Sequence, residues 1–201
     1  RAEELDEPDH GVQDNATQDQ PRLVTEAMDV TQGKLALGFR TGGACVWEDD
    51  YPALLVFNAL YGGTPTSKLF LNVREKLSLC YFASSSLEKF KGIMVVSSGI
   101  EFRNYEKAKA EILAQLDNCR AGAFEDWELE GARRAVVSAL RTTMDAQGRL
   151  EDYWLGQAVA GLAEPPQDLV DRVEGGTRAQ GAAGGQKKEL GTIYFLKGKE
   201  G

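Results

Sequence analysis

The chain has 201 residues, of which 42% are apolar and 27% are charged, with a formal net charge of −8. That length is enough to bury a sizeable core within one domain. The acidic balance argues against nucleic acid or an anionic membrane as the main partner, since both require a basic face. No apolar run approaches the roughly 20 residues that span a membrane.

The first 21 residues differ in composition from the rest. Residues 1–20 carry seven acids against one Arg, contain the only histidine, His10, and lack the apolar centre of a signal peptide. We expect residues 1–21 to be an acidic linker or disordered lead-in, and residues 22–201 to form one domain. The polar start, with Arg rather than Met at position 1, predicts a piece of a longer protein.

The three cysteines, Cys45, Cys80 and Cys119, are widely spaced and form no Cys-x-x-Cys pair. This spacing indicates neither a disulfide framework nor a zinc ribbon. Reduced thiols in the cytoplasm are the simplest account. We expect Cys80 and Cys119 to be small buried hydrophobes, because a nucleophilic role would require a histidine partner.

The predicted elements before residue 62 are two strands and a helix. Residues 22–29 and 34–40 are rich in strand-forming residues. The connection at 30–33 predicts a hairpin, or a bend between neighbouring strands. Residues 51–61 form an apolar run of helical length.

Residues 62–81 are the most informative segment of the chain. Gly62 and Gly63 predict a flexible lead into a helix, with Thr64 or Ser67 as its N-cap. Apolar residues then recur at helical spacing, which predicts one buried face. These residues are Leu69, Phe70, Val73 and Leu77. A strand over residues 78–84 follows.

Arg74 and Tyr81 lie seven residues apart across this helix and strand. A guanidinium and a phenol held together at such a junction could donate hydrogen bonds to peptide carbonyls or to the oxyanion of a tetrahedral intermediate. A structural alternative is that Arg74 pairs with Glu75 or Glu101 while Tyr81 packs in the core.

The remaining pattern predicts more helices than strands. Trp127, Tyr153 and Trp154 are expected to pack in the core or between helices rather than to form a ligand cage. A strand is predicted at 92–100, a helix capped by Asn104 at 104–119, helices at 124–146, 149–162 and 168–173, and a strand at 192–196. Strands and paired helices without strict alternation predict an α+β fold, a two-layer α/β sandwich with a mixed or antiparallel sheet and helices on one face.

The segment 62–81 resembles a block in the non-catalytic half of the insulinase/pitrilysin family of zinc peptidases, which includes the mitochondrial processing peptidase subunits. The shared pattern is a glycine pair, then Ser-(Arg/Lys)-Leu-Phe, (Leu/Val)-Arg-Glu-Lys, two or three small or apolar residues, and Tyr. Weaker matches flank it at 32–40 and at 194–198, the last resembling small bacterial members of the Firmicutes type. The glycine-rich stretch 175–185 departs from the family's usual helix-forming connection.

The resemblance implies a LuxS/mitochondrial processing peptidase-like metallohydrolase domain. It also implies that Arg74 and Tyr81 assist the binding of peptide, or the transition state, at a site whose zinc is held by another domain. Catalytic members carry His-x-x-Glu-His, in which two histidines bind zinc and the glutamate activates water. This chain has one histidine, so we expect no metal site and no catalytic residue in this chain alone.

Two functional hypotheses remain open. In the first, the chain is the substrate-binding half of a zinc metallopeptidase, partnered by a His-bearing domain or subunit that holds the zinc. In the second, the parent protein has lost catalysis and the domain is a scaffold or peptide-binding partner.

Overall fold

A computed structural model describes residues 20–42, 45–46, 48–186 and 188–199. The expected acidic lead-in, with His10, lies almost wholly outside the described residues. None of the described helices is long and apolar enough to cross a membrane.

One five-stranded mixed sheet organises the fold, in the order β1-β5-β2-β4-β3. β1 runs parallel to β5, and every other neighbouring pair is antiparallel. The strands are β1 (Arg22–Met28), β2 (Gly33–Arg40), β3 (Cys80–Glu88), β4 (Ile93–Ile100) and β5 (Glu189–Gly198).

The helices connect the strands and pack together over one face of the sheet. The α-helices are α1 (Tyr51–Asn58), α2 (Tyr105–Arg120), α3 (Asp126–Asp145), α4 (Gln147–Val159), α5 (Pro166–Glu174) and α6 (Arg178–Ala183). A π-helical turn, Ala59–Gly63, continues α1, and a second π-helical segment, Leu69–Lys76, is called here the Arg74 helix. The predicted two-layer α+β architecture is confirmed.

The core lies between the sheet and the helices. Alternate residues of β2 and β4 are buried beneath side chains from α2 and the Arg74 helix. They include Leu35, Leu37, Phe39, Met94 and Val96. The residues that alternate with them face away from the helices: those of β2 are small or charged, and those of β4 include the partly buried Ile93 and Val95. Tyr51 and Leu169 belong to a second, smaller cluster, under α1 and α5.

The predicted hairpin between the first two strands is wrong. β5 lies between β1 and β2, with Tyr194 paired to Val24 on one side and to Ala36 on the other. Because β5 hydrogen-bonds to the facing edges of both strands, β1 and β2 are not neighbours.

Asn104 occupies the N-cap position of α2, as predicted, but its side chain makes no capping hydrogen bond to the helix. Two further expectations are wrong. Trp127 and Trp154 are 56% and 41% exposed rather than buried. Gly62 is not a flexible lead: a Cβ there would lie 2.6 Å from the Ser85 hydroxyl, so glycine lets the turn pack against β3.

Leu69 and Val73 anchor the Arg74 helix in the core, since both are fully buried. We expect Leu69→Ala to lower the free energy of unfolding by about 2 to 5 kcal/mol, because it removes buried methyl groups and leaves a cavity. Urea denaturation measures the change. Leu77→Ala, at an exposed position that ends the same helix, serves as the control and should cost far less. Equal losses would show that the core does not hold this helix as described.

Candidate functional site

The Arg74 helix begins at a buried serine. Ser67 is almost completely buried, and its hydroxyl accepts a hydrogen bond from the Phe70 amide at 3.4 Å. Ser67 thus serves a capping function, as one of the two predicted alternatives, although the residue that precedes the helix is Lys68. The expected apolar stripe holds for Leu69 and Val73, whereas Phe70 is half-buried.

Leu77, the last member of the predicted stripe, is 44% exposed. Leu77 lies just after the last helical residue, Lys76, and its amide donates to the Asn72 carbonyl at 3.1 Å. The chain then turns toward β3 at Ser78. The expectation that Leu77 is buried is wrong because the helix ends before it.

The chain leaves the helix through Ser78, whose φ of 50° lies in the left-handed region. Its amide donates to the Arg74 carbonyl at 3.0 Å, and the Leu79 amide donates to the Val73 carbonyl at 3.0 Å. Such bonds satisfy carbonyls that a helix end otherwise leaves without partners. This turn directs the chain into β3 only a few residues after Arg74.

Tyr81 sits at an irregularity in β3. Cys80 pairs with Ile100 and Phe82 pairs with Gly99, so Tyr81 is an extra residue against β4. Bulges of this kind re-aim side chains. As a result Tyr81 and Phe82 are both exposed, at 48% and 47%, although neighbouring residues of a regular strand point to opposite faces.

Arg74 is held in place by three contacts. Its Nε donates to the Tyr81 carbonyl at 2.9 Å, its Nη1 lies 3.1 Å from the Glu75 carboxylate, and its guanidinium lies 4.6 Å from the centre of the Phe70 ring. Five N–H donors belong to a guanidinium, so these contacts leave several directed elsewhere. The Arg74 side chain is 39% exposed.

Arg74 and Tyr81 therefore meet through the Tyr81 backbone, and the phenol hydroxyl is not part of that contact. The structural alternative holds in part. Arg74 does pair with Glu75, whereas Glu101 pairs with Arg103 and Tyr81 does not pack in the core.

Sequence reasoning missed Phe82, whose ring covers Gly99: a Cβ on Gly99 would lie 2.7 Å from it. Phe82 extends the exposed aromatic surface next to Tyr81. The adjacent Tyr81 and Phe82 could have indicated this surface, since two large aromatic residues in succession break the apolar–polar alternation of a half-buried strand.

Polar contacts fix the Arg74 helix against α2 and α3. The Lys68 ammonium lies 2.8 Å from the Glu128 carboxylate, and both side chains are largely buried. The Asn72 amide donates to Gln115 at 2.9 Å, and Gln115 in turn donates to Glu111. These contacts restrain the orientation of the helix that carries Arg74.

The described residues contain no group of three or more His, Cys, Asp or Glu arranged to hold a metal ion. The three cysteines are buried and form no disulfide. Burial raises the pKa of Cys80 to about 11 and that of Cys119 to about 12, so both thiols stay protonated near neutral pH. The residues that the structure describes do not fit a catalytic zinc site.

Comparisons with known proteins identify the family to which the chain is similar. The family model described as "Peptidase M16 inactive domain" matches residues 4–136, more than half of the chain. A Bacillus subtilis protein named "Probable inactive metalloprotease YmfF" is 41% identical over 182 residues, covering 90% of this chain and 42% of that protein.

Solved structures extend the likeness to the fold. A conserved Enterococcus faecalis protein superposes with a TM-score of 0.85 at 31% identity, over 92% of this chain and 43% of that one. A structure described as a peptidase M16 inactive domain from Pseudomonas fluorescens gives 0.73 at 17% identity, over 90% of this chain and 44% of that one, which supports the fold alone. This chain thus spans less than half the length of these relatives, and it belongs to the M16 peptidase family as an inactive domain.

Proposed function

We propose that this chain is the non-catalytic, substrate-binding half of an M16 metallopeptidase. The observation that supports it best is the placement of Arg74 and Tyr81. A bulged strand and a helix end bring the two residues together, with the Tyr81 side chain exposed and the Arg74 side chain partly exposed. Exposed donors at fixed positions suit the carbonyl groups of an extended peptide or a developing oxyanion.

The partner in this proposal is a His-bearing domain or subunit of the same family, which would hold the zinc. The chain spans 42% of the length of YmfF, so a partner half within one longer protein is consistent with the comparison. We propose residues 22–201 as the folded unit and the cytoplasm as its compartment, the latter supported by the free thiols.

A second candidate function is a catalytically inactive homologue that acts as a scaffold or binds peptide. The name of YmfF, "Probable inactive metalloprotease", favours considering it. The two candidates differ in the assembled protein: only the first requires peptide cleavage that depends on Arg74 and Tyr81.

The isolated chain should bind no stoichiometric zinc and hydrolyse no peptide. Its sequence contains one histidine, too few for the His-x-x-Glu-His site that activates water in catalytic members. Metal analysis of protein purified without chelator, together with a fluorogenic peptide assay, measures both properties. Stoichiometric zinc with turnover that a chelator abolishes would contradict the proposal.

A further inference from the structure

A cavity of about 340 Å³ lies between α1, α3, α4 and the turn that follows β3. It shares no lining residue with the Arg74 and Tyr81 surface. Its volume falls within the range of small-molecule sites, about 300 to 1,000 Å³. Most of its wall is apolar, and the side chains that form that wall include Leu55, Ala59, Val136, Ala139, Leu140 and Leu169.

Several polar side chains at the cavity are already engaged within the protein. The Thr143 hydroxyl donates to the Ala139 carbonyl at 3.0 Å, and the Glu164 carboxylate accepts from Arg172 at 2.9 Å. The Gln157 side-chain oxygen accepts from the Glu164 amide at 2.9 Å. Because these groups already have hydrogen-bond partners within the protein, they do not require a ligand.

Two other polar groups at the cavity lack such partners. The Lys89 ammonium is half-buried, lies 5.0 Å from the centre of the Phe90 ring, and forms no ion pair with any carboxylate among the described residues. The side-chain oxygen of Asn58 is buried without a hydrogen-bond partner in the same part of the structure. Burial lowers the pKa of Lys89, and Asp152 opposes that shift only in part.

A half-buried cation without a counter-charge and a buried amide oxygen without a hydrogen-bond partner are unfavourable unless a ligand or water satisfies them. Because an apolar wall lies beside these two polar groups, the cavity suits a ligand with one polar end and an apolar remainder. We propose that this cavity binds an apolar chain that ends in a carboxylate. The carboxylate accepts from Lys89 and the chain fills the apolar part. In a peptide terminus, the N–H next to the carboxylate also donates to the Asn58 oxygen after a small side-chain rotation.

Two sources carry this chemistry, a short fatty acid and the C-terminal apolar residue of a peptide. Octanoate and N-acetyl-leucine represent them, and octanamide and N-acetyl-leucinamide lack the charge. Isothermal titration calorimetry of the whole chain should show binding of the carboxylates and at least about tenfold weaker binding of the amides. Tighter binding of N-acetyl-leucine than of octanoate would identify the peptide terminus as the source, and the reverse order the fatty acid.

Variants test the assignment of residues. Lys89→Met should lose the preference for the carboxylate, and Lys91→Met, at an exposed lysine two residues along the same turn, should bind as the parent does. Ala139→Phe, at a solvent-accessible position of the wall, should fill the cavity and abolish binding without lowering the melting temperature. The proposal is overturned if neither carboxylate binds at millimolar concentration, or if Lys89→Met retains the preference.

Discussion

In the proposed peptidase, Tyr81→Phe should lower peptide cleavage about 100- to 1000-fold, the usual effect of removing one hydrogen-bond donor from a developing oxyanion. The hydroxyl is the only group lost. Tyr81 is exposed, and its contact with Arg74 is made through the backbone carbonyl. Thermal stability should therefore stay unchanged, which separates a role in turnover from a role in folding.

Arg74→Lys tests the other member of the pair. Lysine keeps the charge but lacks the planar fork that bonds the Tyr81 carbonyl while presenting further donors. We expect cleavage to fall rather than to be retained. The assay combines each variant with the His-bearing half and compares it with Tyr194→Phe, which removes a hydroxyl bonded to Glu26 near the opposite edge of the sheet. If Tyr81→Phe and Arg74→Lys cleave as the parent does, the pair is structural and the scaffold function is the better one.

Breaking the largely buried ion pair between Lys68 and Glu128 should have a large effect on stability. We expect Glu128→Gln to lower the free energy of unfolding by about 3 to 5 kcal/mol, because the Lys68 ammonium would then remain buried without its counter-charge. Glutamine is the suitable replacement, since Glu128 also accepts from the Glu125 amide at 2.8 Å in a capping box. Glutamine can preserve that second bond.

Denaturation of the double variant Lys68→Met/Glu128→Gln provides the control. Removing both charges together should restore much of the stability, since the penalty belongs to the isolated charge rather than to the lost attraction. A more exposed pair, Lys109 with Glu106, offers a comparison: Glu106→Gln should cost at most about 1 kcal/mol. Equal losses at the two sites would contradict the assignment of Lys68 and Glu128 as a desolvated pair.

Local pattern was enough to predict the strands, the long helices and a sheet covered by helices on one face. α2 and α3 begin and end within two residues of the predicted bounds, because their apolar spacing and terminal charges are local properties. The position of β5 between β1 and β2 was not predictable in the same way. It depends on pairing between residues far apart in the chain.

The candidate site likewise combines features that local sequence predicts with features that depend on tertiary packing. Arg74 and Tyr81 were found through a sequence pattern, and the buried Leu69 and Val73 through their spacing. The bulge at Tyr81 and the π-helical winding before it arise from how β3 and the helix pack against their neighbours. Such irregularities depend on tertiary packing, so the spacing of residues along the chain does not predict them.

The central position of β5 also shapes how this domain reaches its folded state. Tyr194 and Glu26, which bond across β5 and β1, are separated by 168 residues. On a ribosome, nearly the whole domain would be synthesised before β5, the strand that pairs with β1 in the described part of the chain, emerged. During that interval the β2 edge that later receives β5 would be open to other strands, so slow translation before β5 should favour misassembly or chaperone binding.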